Sequence, residues 1–139
     1  MRVESKQQQV FRPAAQIYSV VSKFSNFSPI LADKVEQWEA DDDTCSFIAK
    51  GYRVSLAIIE REQDKLIKIG EGEGGTPFPF SFWLQLKEVG ANDTRMRIVL
   101  DAQLNMMMKM MIGGKLQKAV DQIAQQLADG FNGKMPENM

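Results

Sequence analysis

The spacing of apolar residues changes twice along the chain, from helical to alternating at Val35 and back to helical at Met106. Before Val35, the weakly alternating segment from Arg2 to Val10 predicts an exposed strand. Two short helices are predicted between Pro13 and Ala32, because apolar residues recur there at helical spacing.

Apolar and polar residues alternate in short runs between Val35 and Leu104, which is the pattern of half-buried strands. Turn-forming residues separate these runs, so neighbouring strands are predicted to pair antiparallel. Counting the first segment, the pattern predicts a curved sheet of six or seven strands with one apolar and one polar face. The predicted runs cover residues 35–40, 44–50, 52–58, 66–70, 80–86 and 94–104.

One long helix is predicted from Met106 to Phe131, with a length of about 39 Å at a rise of ~1.5 Å per residue. Its apolar stripe is expected to cover the apolar face of the sheet. Gly113 and Gly114 predict a weak joint or kink within it. The predicted stripe comprises Ile112, Leu116, Val120, Ile123, Leu127 and Phe131.

Methionine dominates the start of this helix, where it occupies five of the seven positions from Asn105 to Met111. Methionine is unbranched and polarizable, so a cluster of it forms an adaptable apolar surface. A helix turns by about 100° per residue, so these side chains cannot all face one core. Two interpretations stay open: core packing at the helix start, or the lining of a cavity mouth or of a surface that docks a partner.

The composition limits the functional classes. With 139 residues and a net charge of −1, the chain predicts one domain over residues 1–131 and a disordered tail over 132–139. The charge balance argues against nucleic-acid binding, which usually gathers a basic excess on one face. No apolar run suits a signal peptide or approaches the ~18 residues of a membrane span, so a cytoplasmic protein without a span is expected. Monomer and dimer both remain open.

Histidine is absent and Cys45 is the single cysteine. These facts remove the commonest general base, the Ser-His and Cys-His nucleophile pairs and any cysteine-based zinc cluster. The sequence therefore predicts no catalytic residues, no metal site and no cofactor, and it favours binding over catalysis. Polar residues that could orient a ligand are Asp33, Glu36, Tyr52, Arg53 and Asp101.

Three local patterns have an ordinary explanation. Gly70 to Gly75 matches G-x-G-x-x-G, but a strand follows instead of a helix, so we expect a flexible loop at a cavity rim. Asp41 to Asp43 predicts a hairpin tip, because the remaining ligands of a calcium loop are missing. The aromatic stretch from Phe78 to Trp83 predicts core and cavity lining, since only Lys87 is near enough to support base stacking.

The order of elements resembles a known superfamily. A strand, two short helices, an antiparallel sheet and a long C-terminal helix form the α+β helix-grip arrangement, and residues 2–131 look like the SRPBCC superfamily. That superfamily includes START lipid-transfer domains, birch-pollen-allergen-like proteins and polyketide cyclase-like proteins. The segment from Met106 to Leu127 is similar to bacterial members at the same joint. The resemblance implies a hydrophobic cavity between sheet and helix, used for lipids, sterols, hormones or polyketides.

The function expected from the sequence is binding of a small hydrophobic molecule in that cavity. Alternatives are a polyketide cyclase-like enzyme, or an interaction protein that docks a partner through the methionine-rich segment. The predicted ligand-binding residues are Phe47, Leu56, Ile69, Phe82, Leu84, Ile98, Leu100, Met107, Met111 and Leu116.

Overall fold

An antiparallel sheet of eight strands curves around one long helix in the computed structural model, which describes residues 1–49, 51–76 and 78–133. The strands are β1 (Arg2–Glu4), β2 (Gln8–Val10), β3 (Glu36–Ala40), β4 (Thr44–Ala49), β5 (Tyr52–Glu62), β6 (Leu66–Glu71), β7 (Phe80–Gly90) and β8 (Asp93–Ala102). The helices are α1 (Ala14–Val21), a 3₁₀ helix (Phe24–Phe27), α2 (Ser28–Leu31) and α3 (Met106–Phe131). The strand order is β1-β8-β7-β6-β5-β4-β3, and β2 also pairs with β8.

The sheet has eight strands, whereas six or seven were predicted, because the first predicted strand is interrupted at Ser5 and forms both β1 and β2. Three residues lie between Glu4 and Gln8, whereas two lie between their partners Val99 and Met96, so one extra residue forms a bulge. Ser5 donates its N–H to the Ile98 carbonyl, and its Oγ accepts the Ile98 N–H at 2.9 Å. The side chain of Ser5 therefore replaces a backbone acceptor and ends β1.

The inner face of the sheet is apolar and forms two clusters. One packs Ile17 of α1 against Leu84, Leu86 and Met96. The other packs α3 against Val3 of β1 and the inner face of β8. Alternate residues of a strand point to opposite faces, and the core therefore takes every second side chain of β7 and β8.

Trp83 lies on the outer face, opposite to Leu84 and Phe82. Its ring has the Arg2 guanidinium at 5.8 Å and the Lys68 ammonium at 5.2 Å from its centroid. The prediction that Trp83 joins the core and cavity-lining aromatics is therefore wrong. The strand alternation that buries Leu84 turns Trp83 to the basic outer face.

Small residues bring α3 close to the sheet. Its fully buried positions include Gly113, Val120, Ala124 and Ala128, whereas Ile123, which was predicted in the buried stripe, is 40% exposed. The helix runs without interruption through Gly113 and Gly114. Two small side chains in the contact let the helix backbone approach more closely than isoleucine would, and this rotates Ile123 towards solvent.

Polar groups fix α3 to the bulged edge formed by β1 and β2. Asp121 accepts the Lys6 N–H at 2.7 Å, and Gln117 donates to the Glu4 carbonyl at 2.7 Å. The hydrogen bond from the Lys6 N–H, together with one from Gln117, holds the pKa of Asp121 below its ordinary value. Asn132, which was placed in the predicted tail, accepts the Phe11 N–H and donates to the Gln9 carbonyl. Residues 134–139 of that predicted tail lie outside the described residues.

No helix in the described part of the chain is both long enough and apolar enough to cross a membrane.

Candidate functional site: an apolar cleft at the start of α3

A cleft of about 340 Å³ opens between the start of β5, the segment before β7 and the first turns of α3. Asn105 caps α3, because its side chain accepts the Met108 N–H at 2.8 Å. This cap fixes where the helix begins and therefore which side chains face the cleft. Met108, Met111 and Ile112 are three and four residues apart and share one side of the helix.

Tyr52 and Phe78 form the opposite wall of the cleft. Tyr52 is the first residue of β5 and follows Gly51, whose φ of 81° lies in the left-handed region that favours glycine. The Thr76 hydroxyl donates to the Phe78 carbonyl at 2.6 Å and holds the segment that carries Phe78. The Phe78 ring meets Phe80 edge to face, with 6.3 Å between centroids.

The lining of the cleft is mainly apolar. Four of the five lining side chains are apolar or aromatic without a polar atom able to donate, and Tyr52 contributes the one hydroxyl. Ligand pockets typically combine a mainly apolar wall with a few polar groups that orient the ligand. Among the described residues, no group of three or more acidic or cysteine side chains is placed to hold a metal ion.

Solved structures of low sequence identity share this architecture. Norcoclaurine synthase from Thalictrum flavum superimposes with a TM-score of 0.71 at 11% identity, over 92% of this chain and 90% of that one. A START superfamily protein from Mycobacterium smegmatis gives a TM-score of 0.58 at 16% identity, over 91% and 98%. A Thermobifida fusca protein gives 0.69 at 10% identity, over 95% and 93%. The chain has the helix-grip fold. No family model and no curated protein sequence matches it.

The α+β helix-grip arrangement predicted from the sequence, with its long terminal helix, is confirmed. In this helix-grip protein the ten predicted ligand-binding residues occupy three kinds of position. Leu84, Ile98 and Leu100 are buried in the two core clusters. The half-buried group, which packs on the edges of those clusters, comprises Phe47, Leu56, Ile69, Phe82 and Leu116. Met107 and Met111 are exposed, and Met111 also lines the cleft.

Four lining residues were absent from the predicted set of ligand-binding residues, namely Tyr52, Phe78, Met108 and Ile112, although Phe78 belongs to the aromatic stretch predicted to line the core and cavity. A signal for Met108 and Ile112 was present in the sequence. Met108 lies three residues before Met111 and four before Ile112, so the three side chains share one side of a helix. Tyr52 was predicted only as a polar candidate. The other polar candidates, Asp33, Glu36, Arg53 and Asp101, are exposed. The Asp101 carboxylate lies 3.9 Å from the amino terminus.

A second, more polar groove of about 510 Å³ lies on the outer face of the sheet. Its floor includes Ser46 and Ser55, which pair across β4 and β5 and alternate with the core-facing Cys45 and Leu56. Gly74 crosses the Ser55 side chain so closely that a Cβ would lie 2.1 Å from its Oγ. The glycine-rich loop therefore borders the outer groove instead of the rim of the inner cavity, and β7 follows it instead of a helix.

The hairpin tip predicted at Asp41 to Asp43 joins β3 to β4. Asp41 accepts the N–H groups of Thr44 and Asp43 at 2.7 and 2.8 Å. These hydrogen bonds, the one from Thr44 first, hold the pKa of Asp41 below its ordinary value. The carboxylate thus serves the turn itself.

Proposed function

We propose that this protein binds a small apolar molecule, lipid-, sterol- or polyketide-like, in the space between the sheet and α3, with the cleft at Tyr52, Met108 and Met111 as its entrance. The observation that carries the proposal is the apolar wall of that cleft. The fold adds support, because the helix-grip resemblance implies use of this same space for hydrophobic ligands.

The volume of the cleft gives an upper value for the part of a ligand that lies in it. A cavity of about 150 Å³ holds benzene, which corresponds to roughly 25 Å³ per non-hydrogen atom. At that ratio, the cleft of about 340 Å³ accommodates about 14 non-hydrogen atoms. This is the size of dodecanoate or of a compact two-ring compound.

A longer ligand requires contacts beyond the entrance. The half-buried side chains of the predicted site supply the proposed contacts, because they lie on the inner face without being fully packed. These side chains are Phe47, Leu56, Ile69, Phe82 and Leu116. Met107 and Met111 are the proposed contacts at the outer end, and Leu84, Ile98 and Leu100 support the walls from the core.

A cyclase-like enzyme is the second candidate, and the position of Tyr52 is the observation that favours it. Its hydroxyl is the polar group of the cleft lining and could move a proton on a chain folded inside. Turnover of polyketide-like substrates that Tyr52→Phe abolishes, with apolar-probe binding intact, would establish this function in place of simple binding.

Binding is tested with a fluorescent fatty acid and a matched pair of variants. Met108→Trp places a larger side chain in the cleft and is expected to weaken probe binding at least tenfold. Met106→Trp makes the same change two residues away, at a position that does not line the cleft, and should leave binding unchanged. Native mass spectrometry of freshly purified protein should reveal a co-purified apolar ligand. Absence of saturable binding together with absence of any co-purified ligand would refute the proposal.

A further inference from the structure

The first two turns of α3 carry an exposed apolar surface, which we call the methionine surface. It consists of Met106, Met107, Met110 and Met111, whose side chains are 67–84% exposed. Residues four apart on a helix are neighbours, so Met106 with Met110 and Met107 with Met111 form two adjacent rows. Contiguous exposed apolar surface of this kind marks a site of interaction.

Two of these methionines lie on the side of α3 that is buried farther along. Seven residues make two helical turns less about 20°, so Met106 shares its side of the helix with Gly113 and Val120. Gly113 and Val120 are buried, whereas Met106 is 79% exposed. Met110 has the same relation to the buried Ala124, fourteen residues on. The start of α3 therefore extends past the part of the sheet that covers the rest of this side.

The part of α3 that carries the methionine surface has charged side chains of one sign only. Residues 106–120 contain Lys109, Lys115 and Lys118 and no acidic residue, although the whole chain has a net charge of −1. All three lysines are exposed. The first turn of α3 also lacks an acidic side chain, so the positive end of the helix dipole is not neutralised there.

We propose that the methionine surface docks on an anionic lipid bilayer. The helix start lies on the membrane, the methionines enter the boundary between headgroups and acyl chains, and the lysines meet lipid phosphates. The positive charge complements anionic headgroups. It disfavours a second copy of the chain, because an isologous two-fold contact would bring the same lysines from both copies to one interface.

The position of the cleft favours a bilayer over a protein partner, and this step rests on the proposed function. Met111 belongs to the methionine surface and also lines the cleft. Docking would place the cleft mouth against the acyl-chain region, so an apolar ligand could pass between membrane and protein without crossing water. A protein partner would instead close the mouth.

The test is co-sedimentation with vesicles of phosphatidylglycerol mixed with phosphatidylcholine, compared with phosphatidylcholine alone. The wild-type protein should bind the anionic vesicles at least tenfold more tightly than the neutral ones, and added salt should weaken that binding. Apolar-probe binding is measured in parallel without vesicles. Loss of probe binding then reports on the cleft, and loss of vesicle binding reports on the methionine surface.

Two pairs of substitutions separate the apolar from the electrostatic contribution. Met106→Gln with Met110→Gln removes apolar surface outside the cleft lining and should weaken vesicle binding at least tenfold while leaving probe binding unchanged. Lys109→Gln with Lys115→Gln should weaken it by about 25-fold, or about fivefold per lysine. Val89→Thr and Lys87→Gln make matched changes at exposed positions of β7 and should have no effect.

The proposal is supported if the wild type binds vesicles and both variant pairs weaken that binding. This holds even if the wild type does not bind the apolar probe, a result that would refute ligand binding in the cleft only. Equal affinity for the two vesicle types, or no loss in the methionine variant, would overturn the proposal. Light scattering that shows a dimer in the wild type and a monomer in the methionine variant would overturn it in favour of self-association.

Discussion

Adjacent glycines near the cleft allow a test of how α3 sits in the fold. Gly113→Ala and Gly114→Ala add the same methyl group to neighbouring positions of one helix. A Cβ at Gly114 would have no neighbour within 4 Å, whereas a Cβ at Gly113 would lie 3.1 Å from both Sδ and Cε of Met1. The two variants should therefore differ in stability, although they gain the same helix propensity.

The expected magnitudes follow from this geometry. Alanine is favoured over glycine by about 0.8–1 kcal/mol in a helix interior, so Gly114→Ala should raise the free energy of unfolding by about 0.9 kcal/mol. With an unfolding entropy of about 2.1 cal/mol/K per residue over 139 residues, this raises Tm by about 3 °C. Gly113→Ala must displace the end of the Met1 side chain, and this offsets the gain, so its Tm should stay within about 1 °C of the wild type.

Thermal unfolding followed by circular dichroism at 222 nm measures both variants. A rise in Tm for Gly113→Ala equal to that for Gly114→Ala would show that Met1 does not pack against α3. No rise for Gly114→Ala would show that the helix is not regular there, and would restore the kink that the two glycines predict from sequence.

Two further predictions concern titratable groups. Burial raises the pKa of the Cys45 thiol from 9.0 to about 12. The thiolate is the form that reacts, so at pH 8 iodoacetamide should label Cys45 about a thousandfold more slowly in the folded protein than in urea. Equal labelling rates would contradict its burial. The pKa of Asp121 is lower in the folded protein than its ordinary value of 3.8, so the charged carboxylate stabilises the fold at pH values above 3.8. This stabilisation is lost as the pH falls through the lower pKa of the folded state. Asp121→Asn should therefore be less stable than wild type to urea at pH 7, and the difference should shrink below pH 3.8; a difference independent of pH would contradict the contact with Lys6.

The sequence predicts the elements well because their periodicity is a local property. The change of period at Met106 correctly marks the start of α3, where Asn105 supplies the cap. The bulge at Ser5 was not predictable, because it depends on a hydrogen bond to Ile98, 93 positions away. The exposure of Ile123 was also missed, because hydrophobicity favours isoleucine in the contact whereas the close approach of the helix favours Ala124 and Ala128.

The candidate site was less predictable than the fold. Alternation places Leu84 and Ile98 on the inner face, but it does not show whether side chains facing them fill the space. Around Leu84 and Ile98 they do, because both residues are buried in core clusters, so the proposed ligand contacts are the half-buried side chains instead. The methionine run was informative because five such residues cannot all be buried on one helix, and the structure exposes four of them while Met108 enters the cleft lining.

The most direct test of ligand binding uses the methyl groups of methionine in protein labelled with ¹³C at Cε. Dodecanoate, added below its micelle concentration, should shift the signals of Met108 and Met111, which line the cleft. The signal of Met96, which is fully buried in the core, should stay in place. Saturable shifts at Met108 and Met111, with the Met96 signal unchanged, are the result that the account predicts. Unchanged signals at Met108 and Met111 under saturating dodecanoate would contradict it.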